Sequence, residues 1–217
     1  MTELTKNPFR VARYLMGAAK LEQLPPDQGI EIALAGRSNA GKSTALNAIA
    51  DQKNLAKTSK TPGRTQLINL FMIDDENRLV DLPGYGFAKV SKDQKAQWQK
   101  TLSLYLQKRE CLKALVVFMD IRHPLKETDK QMVQWAVNAD IPVHVVLSKS
   151  DKLKSGARKT ALIAANKRLA RISETITSQL FSANSKLGLE ELIIKLTSWY
   201  PFDDVPSSTE QTNQEPQ

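Results

Sequence analysis

Short apolar stretches alternate with longer, helix-like segments through most of the chain. The short stretches are rich in β-branched residues, as buried strands are, and the longer ones repeat apolar positions every three to four residues. This alternation predicts an α/β fold with a mostly parallel sheet and helices on both faces. The predicted strands are residues 31–35, 66–73, 78–81, 114–120, 143–148 and 175–182, and the predicted helices are 41–50, 92–108, 127–138, 155–172 and 188–200.

Other segments define the boundaries of this domain. Only residues 74–77 separate two predicted strands, which indicates a hairpin and therefore one antiparallel edge strand in a sheet of six or seven strands. Residues 53–65 are polar, contain Pro62-Gly63 and predict a mobile loop. Residues 9–21 fit either a strand or a helix. We expect an N-terminal extension packed on the domain over 1–28, a domain over 29–200 and a disordered acidic tail over 201–217.

Composition indicates a polyanionic partner and a reducing compartment. The 217 residues carry a net charge of +8, and leaving out the four acids of the tail gives +12 for residues 1–200. Such a charge favours RNA, DNA or anionic lipid, although part of it serves solubility. Cys111 has no partner for an internal disulfide and is expected to be a small core residue. No apolar run is long enough to cross a bilayer, so we expect a cytoplasmic protein without membrane insertion. We also expect a monomer.

A phosphate-binding pattern, G-x-x-x-x-G-K-S, lies between the first predicted strand and the following helix. Backbone N–H groups of such a loop and the positive end of the helix dipole favour phosphate. Lys42 is expected to contact the β- and γ-phosphates and Ser43 to ligate Mg²⁺. The residues of the loop are Gly36, Arg37, Ser38, Asn39, Ala40, Gly41, Lys42 and Ser43.

A second motif, Ser148-Lys149-Ser150-Asp151, ends a predicted buried strand and indicates guanine as the base. The carboxylate of Asp151 can accept hydrogen bonds from guanine N1–H and N2, which adenine cannot supply. The stem of Lys149 would lie along the base. After the next strand, Phe181-Ser182-Ala183 is placed to offer a backbone N–H to guanine O6.

A third motif, Asp81-Leu82-Pro83-Gly84, ends the strand at 78–81. Asp81 is suited to hold Mg²⁺ through water, and the Gly84 N–H is suited to meet the γ-phosphate. Thr65 is the expected second hydroxyl ligand of the metal, with Gly63 and Arg64 beside it as further nucleotide contacts. Segments of this kind order around a γ-phosphate and relax after its loss, which is how such proteins switch.

In combination these motifs resemble the EngB (YihA/YsxC) family of bacterial translation-factor-type GTPases. The resemblance covers residues 9–200 and is carried by residues 36–43, by Lys60-Thr61-Pro62-Gly63-Arg64-Thr65, by Asp81-Leu82-Pro83-Gly84-Tyr85-Gly86 and by Asp120-Ile121-Arg122-His123-Pro124. It implies a Mg²⁺-dependent GTPase linked to assembly of the large ribosomal subunit and to normal cell division and septation. One position departs from the family, which usually has Thr where this chain has Ser148.

The sequence leaves the catalytic group for hydrolysis open. Tyr85 follows Gly84 where many GTPases have a water-orienting glutamine, so slow intrinsic hydrolysis is expected. Arg37 and Arg64 are nearby candidates for an arginine finger, although a loop or partner-facing role is the simpler interpretation. Asn39 is either a K⁺ ligand that stabilises the transition state or a residue chosen for turn geometry. With Lys42, Thr65 and Gly84, Asn39 completes the candidate catalytic set.

Basic residues form two candidate RNA-binding regions. Residues 149–171 contain eight Lys or Arg against one acid, a net charge of +7. A second region, expected close to the Asp81–Gly84 segment, comprises Lys89, Lys92, Lys95, Lys100, Lys108 and Arg109. His144 is interpreted as a core histidine. Two alternatives remain: a nucleotide-gated interaction protein of the division machinery, and an ATP-using kinase, which Asp151 disfavours.

Overall fold

The computed structural model describes residues 7–56, 67–86 and 92–202, apart from the side chains of 92–95. Within these ranges, seven strands form a single sheet in the order β1-β3-β4-β2-β5-β6-β7. The strands are β1 (Arg13–Ala18), β2 (Ile30–Gly36), β3 (Ile68–Met72), β4 (Asn77–Asp81), β5 (Leu112–Asp120), β6 (Val143–Ser148) and β7 (Thr177–Leu180). The α-helices of the same ranges are α1 (Lys42–Ile49), α2 (Lys92–Lys108), α3 (Glu127–Asn138), α4 (Ser155–Leu169) and α5 (Leu189–Thr197).

Strand β3 is antiparallel to both of its neighbours, β1 and β4, and all other pairs are parallel. The predicted fold class is therefore confirmed, but the antiparallel strand is not at the edge as predicted. It lies second from the edge because β1 pairs along its outer side, from Arg13 opposite Met72 to Ala18 opposite Ile68. The segment for which strand and helix were both open forms β1 after a short 3-10 helix, Pro8–Val11.

Each face of the sheet carries its own apolar core. Along β2, Ala33 and Ala35 face the core beneath α2, α3 and α4, whereas Ile32 and Leu34 face the core beneath α1 and α5. This alternation follows from the two-residue period of a strand and explains why β2 is apolar throughout most of its length. The central strands are thus fixed from both sides, and their carboxyl ends form a rigid base for the loops that follow.

A charged network closes the opposite end of the sheet. Glu31, fully buried at the start of β2, accepts hydrogen bonds from Arg78, Tyr105 and Arg109. Although burial raises the pKa of Glu31, these donors hold it below its ordinary value. Nearby, burial raises the pKa of the Cys111 thiol to about 12, as expected of a core cysteine without nucleophilic chemistry.

The position of this network corrects the prediction that all of the second basic region lies close to the Asp81–Gly84 segment. Arg109 is committed to Glu31 rather than to solvent, and with Lys108 it lies just before β5 begins. Since β5 and β2 are parallel and pair from Glu31 and Leu112 onward, both basic residues lie at the end of the sheet away from Gly36. Lys89 and the side chains of Lys92 and Lys95 fall outside the described part of the structure.

Candidate functional site

The phosphate-binding pattern forms a tight loop between β2 and α1. The backbone is left-handed at Asn39 (φ 62°) and Gly41 (φ 87°), conformations that Asn and Gly adopt readily. A Cβ on Gly36 would lie 2.8 Å from the carbonyl oxygen of Phe118 on β5, so the close strand contact requires glycine there. The loop directs the first N–H groups of α1 to the carboxyl end of the sheet, as phosphate binding requires.

Lys42 and Asp81 meet at the base of this loop. Lys42 opens α1, and Asp81 ends β4 opposite Leu34 of β2. The ammonium group of Lys42 donates to Oδ1 of Asp81, and the two side chains are only 9% and 10% exposed. A buried cation and a buried carboxylate are thus concentrated where a phosphate and its metal ion would sit.

The oxygen donors at this point fit Mg²⁺. Ser43, half-buried on the first turn of α1, offers a hydroxyl directly after Lys42, which bonds the carboxylate of Asp81. Mg²⁺ commonly takes one or two protein oxygens and completes its octahedron with water and phosphate oxygens. In the described residues, no group of three or more His, Cys, Asp or Glu side chains could hold a metal ion by itself. Gly63, Arg64 and Thr65 lie outside these ranges.

The segment after Asp81 runs beside the phosphate-binding loop. The N–H of Ser38 donates to the carbonyl of Tyr85 (3.1 Å), and the N–H of Tyr85 donates to the carbonyl of Gly36 (3.3 Å). Leu82 and Pro83 are buried, and a Cβ on Gly84 would lie 3.1 Å from Oγ of Ser38. That hydroxyl is buried without a hydrogen-bond partner among the described residues, so Ser38 and Gly84 face one another across the loop.

The loop after β6 is joined to the phosphate-binding loop by two side chains. Ser148 donates to the carbonyl of Ala40 (2.5 Å) and lies 3.1 Å from that of Met119. Lys149, in a left-handed conformation, donates to the carbonyl of Asn39 (2.5 Å). The hydroxyl of Ser148 therefore ties the loop after β6 to the phosphate-binding loop.

Asp151 is held as an ionised acceptor by its neighbours. Its Oδ1 accepts from the hydroxyl of Ser182 (2.7 Å), and its Oδ2 lies 3.2 Å from the ammonium group of Lys152. The hydrogen bond from Ser182 holds the pKa of Asp151 below its ordinary value. Ser150 is buried and donates to the carbonyl of Leu147 (2.8 Å), which fixes the turn that carries Asp151. Phe181 is buried beside it, and Ala183 is half-buried after Ser182.

Asp120 belongs to this site, although the sequence predicted no role for it beyond its place in the motif at residues 120–124. It ends β5 and lies 3.1 Å from the ammonium group of Lys149. Burial raises its pKa, but the hydrogen bonds from Arg122 and Lys149 outweigh this effect and hold the pKa well below its ordinary value. An acid at the carboxyl end of a buried strand is a signal that could have identified it.

Arg37 does not stand free over the loop. Its Nη2 donates to the carbonyl of His123 (3.1 Å), and its Nε lies 3.3 Å from Oδ2 of Asp129. The candidate residues of the three motifs thus converge at the carboxyl ends of β2, β4, β6 and β7, except for residues 63–65. The other histidine, His144, is a core residue as predicted: it is buried and hydrogen-bonded to Thr177 and Gln179.

Neither this site nor the rest of the described chain includes a helix with the length and apolarity needed to span a bilayer.

The family model described as "50S ribosome-binding GTPase" matches residues 31–149. A protein of Mannheimia succiniciproducens named "Probable GTP-binding protein EngB" is 53% identical over 200 residues, covering 92% of this chain and 97% of the relative.

Two solved structures share the fold. One, a probable GTP-binding protein EngB, matches with a TM-score of 0.62 at 21% identity, over 77% of this chain and 97% of the other. Era in complex with MgGDPNP and a fragment of 16S ribosomal RNA matches with a TM-score of 0.61 at 22% identity, over 82% of this chain and 58% of the other.

Proposed function

The chain belongs to the EngB family of GTP-binding proteins and hydrolyses GTP, and on this premise we propose that it is a cytoplasmic, Mg²⁺-dependent switch that assists assembly of the large ribosomal subunit. We propose further that normal cell division and septation depend on this role. The observation that carries the proposal is the convergence of phosphate-binding, metal-binding and base-reading side chains at one end of a strongly basic domain.

In this proposal, binding of GTP exchanges the partners of Lys42 and Asp81. Lys42 would leave Asp81 for the β- and γ-phosphates, and Asp81 would become available to the water shell of Mg²⁺. Ser43 and Thr65 would supply the hydroxyl ligands, and the Gly84 N–H would meet the γ-phosphate. The metal ion, when bound, neutralises charge on the phosphate oxygens. A γ-phosphate then favours one conformation of the Asp81–Gly84 segment, and its loss releases it.

Guanine is read by the loop after β6 and by the residues after β7. Asp151 accepts from N1–H and N2 of the base, and its hydrogen bond from Ser182 fixes the direction of the carboxylate. Lys149 lays its stem along the ring while its ammonium group stays on Asn39 and Asp120. Ala183 would offer its N–H to O6. ATP lacks the donors that Asp151 needs.

Intrinsic hydrolysis is expected to be slow because Tyr85 replaces a water-orienting glutamine. Asn39 is the candidate for a K⁺ ligand that would stabilise transition-state charge. Its left-handed backbone equally suits a residue selected for turn geometry. Turnover in K⁺ and in Na⁺ separates the two: a K⁺ ligand requires faster hydrolysis in K⁺, whereas equal rates leave only the structural role.

The surface proposed to meet ribosomal RNA is formed by α4 and its flanking turns. Of its eight basic residues, six are exposed, and Ile163 stands 68% exposed among them. Arg158 and Arg168 are partly committed to carbonyl groups of Leu153 and Leu125. The exposed basic residues are Lys152, Lys154, Lys159, Lys167, Arg168 and Arg171.

Co-sedimentation with large ribosomal subunits tests this proposal. The protein is compared with a non-hydrolysable GTP analogue, with GDP and without nucleotide, at two salt concentrations. We expect binding that requires the GTP analogue and weakens with salt, since each phosphate contact releases counterions. Binding that ignores the nucleotide, or no binding, would contradict the ribosomal role and favour the alternative of a protein scaffold in the division machinery.

A pair of charge-matched variants locates the surface. Lys159→Gln with Lys167→Gln removes two positive charges from α4, whereas Lys20→Gln with Lys113→Gln removes two exposed charges elsewhere. If α4 meets RNA, the first pair lowers the salt dependence of binding by about one to two phosphate contacts and the second leaves it unchanged. Equal effects of both pairs would contradict the assignment of α4.

A further inference from the structure

A buried carboxylate on α3 lies between the phosphate-binding loop and the residue after Gly84. Asp129 is 0% exposed, although it belongs to the first turn of a surface helix. Its Oδ1 accepts from the hydroxyl of Tyr85 (3.0 Å), and its Oδ2 accepts from the N–H of Lys126 (3.0 Å) and lies 3.3 Å from Nε of Arg37. One carboxylate thus contacts three segments of the chain.

Tyr85 is connected to the phosphate-binding loop by its backbone as well. Its N–H and carbonyl bond to Gly36 and Ser38, so that Arg37 and Tyr85 form an isolated parallel β-bridge. A Cβ on Gly86 would lie 3.5 Å from the side chain of Arg37. The contacts of Tyr85, the residue directly after Gly84, therefore fix the position of this segment relative to the loop.

The side chain of Tyr85 cannot replace the missing glutamine as a group that touches water. It is 3% exposed, packs at 6.1 Å from the ring of Trp98 and directs its hydroxyl to Asp129. Burial and the adjacent charge of Asp129 raise the pKa of Tyr85 well above its ordinary value, so the phenol stays a neutral donor. Many GTPases have a water-orienting glutamine at this position, but here the contacts of Tyr85 hold its own segment in place.

We propose that Asp129 is a positioning residue for GTP hydrolysis, acting through Tyr85 and Arg37 to hold Gly84 at a fixed distance from the phosphate-binding loop. Arg37 accordingly serves this anchor and not as an arginine finger. The proposal rests on the GTPase activity of the chain and is independent of any ribosomal role. It assigns to packing at α3 part of the geometric precision that hydrolysis requires.

The test compares Tyr85→Phe, Asp129→Asn and the double variant in single-turnover hydrolysis of bound GTP. A small misplacement of reacting groups lowers a rate by about tenfold to a hundredfold, and we expect losses in this range from each variant. Because the hydroxyl of Tyr85 acts through Asp129, its removal should cost little more once Asp129 is replaced, so the double variant should hydrolyse GTP about as slowly as the slower of the two single variants. The dissociation constant of GDP, which has no γ-phosphate, should change by less than about threefold.

Tyr105→Phe is the matched control. It removes the hydroxyl of another buried tyrosine, which donates to buried Glu31 at the far end of the sheet. We expect this variant to lose thermal stability without a change in the hydrolysis rate.

Three results would overturn the proposal: unchanged hydrolysis in Tyr85→Phe, multiplicative losses in the double variant, or a parallel loss in Tyr105→Phe. Should Asp129→Asn fail to fold, Tyr85→Phe combined with Arg37→Lys carries the same test of non-additivity. Absence of hydrolysis in the unmodified protein would instead contradict the GTPase activity itself.

Discussion

Replacement of Asp151 by Asn changes the group proposed to read the base while conserving its shape. The Ser182 hydroxyl now donates to Oδ1 of Asp151 at 2.7 Å, and an amide oxygen can still accept this bond. The second carboxylate oxygen becomes an NH₂ group, which would face a guanine donor with another donor. The turn at Ser150–Lys152 is retained because it depends on backbone bonds and on the hydroxyl of Ser150.

The size of the effect follows from the bonds that are lost. A hydrogen bond to a charged acceptor contributes about 1.5 to 3 kcal/mol, and guanine loses at least one of its two bonds to Asp151 and the charge on the other. We therefore expect a loss of about 3 to 4 kcal/mol, which corresponds to roughly a hundredfold to a thousandfold weaker binding of GDP. The carboxylate is 18% exposed, so solvent screening reduces the loss only modestly.

The assay is equilibrium titration of a fluorescent GDP analogue, followed by competition with GDP, XDP and ADP at fixed Mg²⁺. Xanthine carries a carbonyl in place of the N2 amino group, so Asp151→Asn should bind XDP more tightly than GDP. Asp140→Asn is the control, since Asp140 is exposed, has a left-handed backbone that Asn tolerates, and lies before β6 at the other end of the sheet. The reasoning is refuted if Asp151→Asn keeps GDP affinity within about threefold, or if it loses GDP and XDP equally.

Three further predictions concern stability. Ser148→Ala should lower the free energy of unfolding by about 1 to 3 kcal/mol because it leaves buried carbonyl groups unpaired, whereas Ser148→Thr should change GDP affinity by less than about threefold. Glu31→Gln should cost about 3 to 5 kcal/mol in urea unfolding because it leaves buried Arg78 without its anion and removes one of the two carboxylates paired with Arg109; Asp51→Asn, at an exposed ion pair, should cost less than about 1 kcal/mol. His144, whose pKa burial lowers to about 4, should withdraw about 3 kcal/mol of stability as the pH falls from about 6.5 to about 4.

Each of these has a contrary outcome. Equal unfolding energies for Ser148→Ala and Ser148→Thr would mean that the hydroxyl does not anchor the loop. Equal costs for Glu31→Gln and Asp51→Asn would mean that solvent reaches the buried network. The imidazole of His144 must stay neutral in the folded protein but takes up a proton when unfolded, so His144→Gln should flatten the loss between pH 6.5 and 4; an unchanged slope would place the titration elsewhere.

Hydrophobic periodicity identifies the elements of this chain because most of them are buried on defined faces. The predicted and observed bounds agree for α2, α3 and β6, and β2 differs only by Ile30 and Gly36 at its ends. The prediction for β7 is longer than the strand itself, since pairing with β6 supports only Thr177–Leu180. Similarly, α4 ends at Leu169 before the predicted residue 172, where a turn closes from Ile172 onto the carbonyl of Leu169.

Long-range pairing is what the sequence could not supply. The hairpin at residues 74–77 predicts an antiparallel strand, but nothing local to it states that β1 covers its outer edge. The sequence alone does not show whether the charge of Arg109 is buried or solvated, and only the fold brings it to buried Glu31. The hydrophobic pattern predicts which residues are buried far better than it predicts which residues they contact.

The candidate site shows the same division. Its motifs predict loops at the ends of strands. In the described residues, the structure brings these loops together at the carboxyl end of the sheet. The role of Asp129 had no such signal, because an acid in the first turn of a helix ordinarily caps it, as Asp129 does for Lys126. Only the fold adds Tyr85 and Arg37 to the same carboxylate.

A crystal structure of the protein with Mg²⁺ and a non-hydrolysable GTP analogue tests the account most directly. We expect Lys42 to leave Asp81 for the phosphates, Asp81 to join the water shell of the metal, and Asp151 to accept from N1 and N2 of guanine while it keeps its bond from Ser182. The account is contradicted if the nucleotide binds with Lys42 and Asp81 still paired, or if the base lies away from Asp151.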